Sequence, residues 1–315
     1  MTGLSNTLQL VGDRPAEEVV RRLTLDVTRR LDGMLHGDFL GLVPGHGSEP
    51  GETRLYSPGD DVRRIDWNVT ARMQTPYIRE TVADRELEAW LLVDRSARLD
   101  FGTALCEKRD LVLAAAAGVG LLSARGGNRV GAIMLRGNEV STIPPRHGRR
   151  HLLGILHSVL TTPREDGTGS AELPDAIRRV GAVARRRGLV VVISDFLGDP
   201  ESWRMPLGML AIRHEVLCIE VVDPRELELP PVGMMTFVDP ATGRTREVNT
   251  DDRKFRAKYA EAASRQRDAI RTAIRGTGAD HLTLRTDHDW LLELARHVSG
   301  RRHRAEAVAA RQAAR

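Results

Sequence analysis

The sequence is poor in residues that mark several classes of protein. It contains two cysteines, Cys106 and Cys218, which lie far apart and form no CxxC pair, so we expect two free thiols in a reducing cytoplasm. Aromatic residues make up 4% of the chain, and aliphatic side chains must therefore form most of its core. The longest apolar run, residues 111–122, is too short to span a bilayer and predicts a buried helix.

Lysine is also scarce. Of the 47 basic residues only three are lysines, at positions Lys108, Lys254 and Lys258. A formal net charge of +4 against 43 acidic residues is too balanced to indicate a nucleic-acid partner. Arginine clusters at 146–150 and 185–187 lack the aromatic residues on which bases stack. Nucleic-acid binding through these arginines is therefore a disfavoured alternative.

The motifs of several enzyme classes are missing. There is no GxxxxGKS/T phosphate loop, no GxGxxG that opens a helix, no HExxH zinc motif and no GxSxG nucleophile elbow. His147 and His151 are spaced to share one helix face, but the arginines around them would repel a metal ion. The first ten residues also lack the basic start and apolar run of a signal peptide. We therefore expect a cytoplasmic protein without enzymatic activity.

The apolar periodicity predicts helices and strands in alternation. A helix is predicted over 15–35 and a loop rich in Gly, Pro and Ser over 36–61. The unbroken apolar run 189–193 is typical of a central parallel strand that is buried on both faces. Alternation continues over 90–300, which predicts an α/β fold with a doubly wound, mostly parallel sheet. A β-hairpin is predicted as an insertion over 234–248.

These signals divide the chain into three parts. Residues 1–85 form an N-terminal extension of helix and loop, and residues 86–300 form the α/β domain. Residues 301–315 form a basic tail, for which we expect a fraying helix with a solvated face.

Two of the predicted central strands end in aspartate. Asp94 follows the apolar residues 91–93, and Asp195 follows the run 189–193 through Ser194. Because the carboxyl ends of parallel strands meet at one edge of a sheet, these two carboxylates are expected side by side. Carboxylate and hydroxyl oxygens are the ligands that suit Mg²⁺.

This arrangement resembles the metal-ion-dependent adhesion site of von Willebrand factor A domains. That site combines Asp-x-Ser-x-Ser after one strand, a threonine-bearing loop and a later strand-end aspartate. The matching positions here are Asp94, Ser96 and Arg98, then Thr168 or Ser170, and Asp195. Arg98 stands where a hydroxyl ligand belongs, and its guanidinium competes with a cation for the carboxylates. The resemblance implies a degenerate site in which an Arg98 salt bridge to Asp94 or Asp195 disfavours Mg²⁺.

A second block, residues 54–72, resembles the bacterial family called domain of unknown function 58. That family carries Tyr-x-Pro-Gly-Asp-Asp-x-Arg-x-Ile-Asp-Trp ahead of the adhesion-like strand. The signature residues in this chain are Tyr56, Pro58, Gly59, Asp60, Asp61, Arg63, Asp66, Trp67 and Arg72. The resemblance extends over about 35–301 and includes the strand end at Asp195.

The signature block has two interpretations. In the first, which we favour, it is a segment rich in ion pairs that packs Ile65 and Trp67 onto the core, with Asp60 or Asp61 capping a short helix. In the second, it is a partner surface, since tryptophan and arginine are enriched at binding hot spots.

The family resemblance implies a function as well as a fold. It implies a von Willebrand A-like module that acts as an adaptor or co-chaperone of a MoxR-type AAA+ ATPase, with a protein client. The chain has no ATP-binding motif of its own, which fits such a role. The N-terminal membrane helices of many family members are not seen here, which implies a soluble cytoplasmic form without membrane contact. The alternative is a metal-dependent hydrolase that uses Asp94 and Asp195.

Overall fold

A computed structural model describes residues 15–34, 53–56, 65–79, 87–137, 139–164, 172–238 and 243–313. The strands are β1 (Thr53–Leu55), β2 (Tyr77–Arg79), β3 (Glu88–Asp94), β4 (Arg129–Arg136), β5 (Glu139–Arg146), β6 (Gly188–Ser194), β7 (Glu215–Val222), β8 (Met234–Val238), β9 (Thr245–Asn249) and β10 (Asp280–Arg285). The α-helices are α1 (Ala16–Met34), α2 (Trp67–Met73), α3 (Lys108–Arg125), α4 (Arg149–Thr161), α5 (Leu173–Val183), α6 (Pro200–Arg213), α7 (Arg253–Gly276) and α8 (Trp290–Ala313).

Six strands form the main sheet, in the order β10-β7-β6-β3-β4-β5. All neighbours pair in parallel except β4 and β5, which are antiparallel. Strands β3 and β6 are buried along their whole length, as their unbroken apolar runs require. The predicted α/β fold with a doubly wound, mostly parallel sheet is therefore confirmed.

The sequence analysis missed β5. Its side chains alternate between half-buried and exposed, and it contains Pro144 and Pro145. A proline cannot donate to a ladder, so a strand with two of them is tolerated only at the edge of a sheet, where β5 lies.

Helices cover both faces of the sheet. On one face, α3, α4 and α8 share a hydrophobic core with the odd-numbered residues of β3, such as Leu91 and Val93. On the other face, α5, α6 and α7 pack against the even-numbered residues Trp90 and Leu92. The two-residue period of a strand thus supplies two separate cores.

Helix α1 adds an outer layer over the first face. Its apolar residues Val20, Leu23, Val27 and Leu31 are buried in the same core as α3, and α1 contacts α3, α4 and α8. Helix α3 is accordingly buried on all sides, and residues 114–117 are all alanines without solvent exposure. A helix that is apolar all round needs a cover on its outer side, and α1 provides it.

The remaining elements are peripheral. Strands β8 and β9 form the predicted hairpin insertion, whose turn residues 239–242 lie outside the described residues. Strands β1 and β2 form a second antiparallel pair beside the short helix α2. Helix α8 runs on through the basic tail to Ala313. Within the described ranges, no helix is long and apolar enough to cross a membrane.

The layered packing predicts the effect of truncating side chains of α1. Leu23 is buried and Leu25, two residues later, is exposed. We expect Leu23→Ala to lower the free energy of unfolding by about 2–5 kcal/mol, because it leaves a cavity between α1 and α3. Leu25→Ala is the matched control and should change it little. Urea denaturation measures both, and equal effects would show that α1 does not pack as described.

Candidate functional site

Two strand-end aspartates lie at the switch point of the sheet. The chain adds β4 and β5 on one side of β3 and then β6, β7 and β10 on the other, so the strand order reverses between β3 and β6. Asp94 is the last residue of β3, and Asp195 directly follows β6. Both are fully buried at the carboxyl edge of the sheet, where ligands bind in open α/β folds. This placement agrees with the expectation from the sequence.

Asp94 is held by hydrogen bonds to both of its carboxylate oxygens. The backbone N–H of Ser96 donates to Oδ1 at 2.9 Å, and the Ser194 hydroxyl donates to Oδ2 at 2.6 Å. Burial, and after it the charge of Asp195, raise the pKa of Asp94 above its ordinary value, although these two hydrogen bonds oppose the shift. The Ser194 bond ties the end of β6 to the end of β3.

Asp195 faces a buried cation. Its Oδ2 lies 3.1 Å from Nζ of Lys108, and its Oδ1 accepts a hydrogen bond from the backbone N–H of Leu197 at 3.0 Å. Burial alone would raise the pKa of Asp195, but the charges of Lys108 and Arg98 outweigh it and the pKa is lowered. Of the two aspartates, Asp195 is therefore the one whose charged form is stabilised by neighbouring cations.

Lys108 is the site residue that the sequence analysis missed. It is the first residue of α3, and its side chain is buried between Asp195 and Glu226, with Nζ 2.6 Å from Oε1 of Glu226. Burial lowers the pKa of Lys108, but the two carboxylates more than compensate and the net shift is upward. A lysine at a helix N-terminus opposes the helix dipole, so this position depends on the two acids.

A second charged group continues the network behind Glu226. Arg267 of α7 donates to Glu220 at 2.9 Å, to Glu226 at 3.3 Å and to the backbone carbonyl of Asp195 at 3.2 Å. Glu220 also lies 2.9 Å from Nε2 of His281 on β10. The charges at this edge of the sheet are therefore paired in a chain that crosses three neighbouring strands.

A third strand-end aspartate has a structural role. Asp223 follows β7 and accepts hydrogen bonds from Thr103, Thr286 and the backbone N–H of Arg225. It joins the loops after β3 and β10 and caps the short 3₁₀ turn Pro224–Glu226 that carries Glu226.

Arg98 lies farther from the aspartates than Lys108. Its Nε is 3.9 Å from Oδ1 of Asp195, which is an ion pair without a hydrogen bond. Of the two partners considered for Arg98, the structure places it against Asp195. Ser96 Oγ is buried and has no hydrogen-bond partner among the described residues. Thr168 and Ser170 lie outside those residues.

The residues at this site fit a divalent cation poorly. An ion between Asp94 and Asp195 would meet the ammonium of Lys108 and the guanidinium of Arg98, which already neutralise Asp195. Within the described part of the chain, no group of three or more His, Cys, Asp or Glu residues is arranged to hold a metal ion.

The signature block positions an exposed tryptophan. Asp66 accepts hydrogen bonds from the backbone N–H groups of Asn68 and Val69 and so caps α2, a role that the sequence analysis gave to Asp60 or Asp61. The backbone N–H of Asp66 donates to Tyr77 of β2, which fixes α2 against the β1–β2 pair. Trp67, the first residue of α2, is 70% exposed.

The interpretation that Trp67 packs onto the core is therefore wrong. Helix α2 has seven residues, none of them buried, and Ile65 is only half-buried, so this unit has too little apolar surface to enclose an indole. Arg72 is also exposed, and Tyr56 is half-buried. The other signature residues, Pro58, Gly59, Asp60, Asp61 and Arg63, lie outside the described residues.

The buried lysine predicts a large and specific loss of stability. We expect Lys108→Met to lower the free energy of unfolding by about 3–5 kcal/mol, because it leaves Asp195 and Glu226 buried without a cation. Lys254→Met, which changes an exposed lysine, is the control and should have little effect. If the two variants melt alike, Lys108 does not hold the site together.

The same geometry predicts the response to metal. Mg²⁺ or Mn²⁺ should not raise the melting temperature of the wild type, because a ligand that does not bind the native state cannot stabilise it. Arg98→Ser restores a hydroxyl but leaves Lys108, so it should remain indifferent to metal. The double variant Arg98→Ser/Lys108→Met should recover stability in millimolar Mg²⁺. Stabilisation of the wild type by either ion would contradict this account.

Comparisons with known proteins give the chain its family. The family described as "Protein of unknown function DUF58" matches residues 52–269. The uncharacterized protein Rv1480 of Mycobacterium tuberculosis is 50% identical over 295 residues, which cover 94% of this chain and 92% of the relative. The uncharacterized protein MAV169 of Mycobacterium avium is 45% identical over 166 residues, 53% of this chain and 97% of the relative.

Solved structures share less with the chain. A von Willebrand factor type A protein from Catenulispora acidiphila has a TM-score of 0.31 and 13% identity, covering 59% of this chain and 44% of that one. Proximal thread matrix protein 1 from the mussel byssus also has a TM-score of 0.31, with 17% identity over 43% and 38% of the two chains. Scores this low carry no argument about fold or function. The family match, in contrast, covers residues 52–269, more than half of the chain. The chain therefore belongs to the DUF58 family.

Proposed function

We propose that this protein is a non-enzymatic, von Willebrand A-like binding module that acts as an adaptor for a AAA+ ATPase of the MoxR type. The observation that carries the proposal is the 70% exposure of Trp67 within the family signature. A large aromatic side chain is held in water by a capped helix, with Arg72 on the same short element. Tryptophan and arginine are the residue types that most often dominate binding energy at protein interfaces.

The same small unit carries two more exposed apolar side chains. Leu55 on β1 and Met73 at the end of α2 are 57% and 56% exposed. Several exposed large apolar side chains on one small unit are typical of an interaction site. We therefore assign the partner surface to α2 and the β1–β2 pair.

The chemistry of the strand-end site favours binding over hydrolysis. A metal-dependent hydrolase would need Asp94 and Asp195 free to hold an ion or to activate water. Asp94 instead accepts two hydrogen bonds, and Asp195 is neutralised by Lys108. In our proposal this site keeps the carboxyl edge of the sheet rigid, and the degenerate adhesion motif is a structural remnant.

The partner class rests on the family resemblance and on the absence of an ATP-binding motif in this sequence. A protein that has no ATPase motif of its own but exposes an aromatic side chain for binding is suited to recruit a client to an ATPase.

The test is affinity capture from a native lysate with wild type, Trp67→Ala and Met234→Ala as baits. Met234 is 65% exposed on β8, which belongs to a different sheet from the β1–β2 pair, and this makes it a matched control. We expect an AAA+ ATPase with the wild type and the control, and a loss of about 2 kcal/mol of binding energy, roughly thirtyfold in Kd, with Trp67→Ala. All three baits should have similar melting temperatures.

Other results would overturn the proposal. If the melting temperature drops for Trp67→Ala alone, Trp67 contributes to folding stability and its role is structural. Recovery of nucleic acid that nuclease removes, with no ATPase, would favour the arginine clusters as the binding surface. Equal capture of the ATPase by wild type and Trp67→Ala would place the interface elsewhere.

A further inference from the structure

The two edges of the main sheet differ in charge. At the carboxyl edge, acids and cations pair with one another. The opposite edge, which we call the amino edge, consists of the strand starts, the end of β5 and the adjoining turns and helix ends, residues 87–89, 125–130, 145–151, 184–189, 211–216, 275–281 and 301. Its exposed arginines are Arg146, Arg149, Arg150, Arg185, Arg186, Arg187, Arg213 and Arg275. The amino edge therefore carries a row of exposed positive charges.

Few acids balance these charges. Among the described residues of the amino edge, the acids are Glu88, Glu215 and Asp280. They already pair with arginines that are less exposed, Glu88 with Arg129 at 2.8 Å, and Glu215 and Asp280 with Arg301 at 3.1 Å and 2.8 Å. Arg125 pairs with Asp32 of α1. Of the exposed arginines at this edge, Arg186 alone reaches an acid, with Nε 4.0 Å from Glu88, and the others form no ion pair with a described residue.

Local structure accounts for only some of these arginines. Arg213 and Arg275 lie in the last turns of α6 and α7, where the helix dipole favours a cation. Arg149 and Arg150 instead begin α4, where the dipole disfavours a cation, and no acid lies in that first turn. Residues 185–187 are three consecutive arginines in the turn before β6, and their charges repel one another. Positions that break a local rule without a structural gain are typical of functional surfaces.

The strand order sets the length of the row. Arg275 comes just before β10 at one end of the sheet, and Arg146 ends β5 at the other. Six strands at a spacing of about 4.8 Å make the row about 24 Å long. An extended peptide of about seven residues has the same length, because each residue in a strand adds about 3.3 Å.

We propose that the amino edge binds an acidic segment of a partner protein, an extended run of aspartates or glutamates that lies along the row. A guanidinium group pairs with a carboxylate through two parallel hydrogen bonds. Lysine, which lacks this fork, does not occur among the described residues of the edge. A guanidinium also pairs with phosphate, but no aromatic side chain is exposed on the described part of this edge to stack with bases. The chemistry therefore fits a carboxylate-rich segment better than a nucleic acid.

Fluorescence anisotropy of the full chain with labelled octaglutamate tests the proposal. The wild type should bind this peptide at about 150 mM NaCl, where exposed charges farther apart than about 8 Å are screened. Arg149→Glu/Arg150→Glu should raise the Kd by about tenfold, because it reverses two charges of the row. Acids in the first turn of α4 suit the helix dipole, so this variant should melt like the wild type.

Two further variants complete the test. Arg185→Glu/Arg187→Glu reverses charges elsewhere in the row and should weaken binding to a similar extent. Arg253→Glu/Lys254→Glu makes the same charge change in the first turn of α7, at the opposite end of that helix from the amino edge. This matched control should leave the Kd within about twofold of the wild type.

Other outcomes would overturn the proposal. They are a wild type that does not bind octaglutamate, and an equal loss of affinity in the control and the edge variants. An oligothymidylate of eight nucleotides, similar to the peptide in length and charge, should bind more weakly than the peptide. If it binds more tightly and the edge variants lose it, the amino edge is a nucleic-acid surface instead. Trp67→Ala should bind the peptide like the wild type, so this proposal and the proposed function fail separately.

Discussion

The ammonium group of Lys108 lies in the interior between the carboxylates of Asp195 and Glu226, and the arrangement of the carboxyl edge depends on it. The three residues come from the start of α3, the end of β6 and the turn after β7. Burying these charges is unfavourable unless each finds a partner, so none of the three elements can move without exposing an unpaired charge. Arg267 extends the same constraint to α7. The edge that carries ligands in related architectures is here a closed ionic network.

Because of this network, the strand-end motif is not interpreted as a metal site. Asp94, Ser96 and Asp195 resemble the ligands of a bound ion, yet the cation is a side chain that is covalently part of the chain. Folding brings the ammonium group of Lys108 next to Asp195, so the carboxylate has a cationic partner without a metal ion. In the function we propose, recognition therefore uses other surfaces of the protein. Among the described residues, exposed apolar side chains include those around Trp67, along α6 and on β8.

The exposed side chains around Trp67 and those on α6 belong to different parts of the fold. Trp67 lies on the small unit of α2, β1 and β2, whereas Met205, Met209 and Ile212 lie on a helix packed directly on the main sheet.

Much of the fold follows from local patterns. Unbroken apolar runs identify β3 and β6, and the aspartates that follow them must emerge at one edge once the strands are parallel. The exceptions have physical causes. Strand β5 was missed because two prolines contradict a strand unless it lies at an edge, and edge position is a property of the whole sheet. Lys108 looks like any residue at a helix start, and only the tertiary fold brings Glu226 to it.

Trp67 is a residue for which the sequence led to the wrong prediction, burial in the core. A tryptophan among charged residues is usually buried, and its exposure here reflects how little apolar surface α2 offers, which local sequence does not reveal.

The central claim remains that Lys108 occupies the role of the cation. The most direct measurement is anomalous diffraction from crystals of the wild type equilibrated with Mn²⁺. The account predicts no anomalous peak between Asp94 and Asp195, with Lys108 Nζ in hydrogen-bond contact with Asp195. A manganese ion bound by both aspartates, with Lys108 displaced, would contradict it.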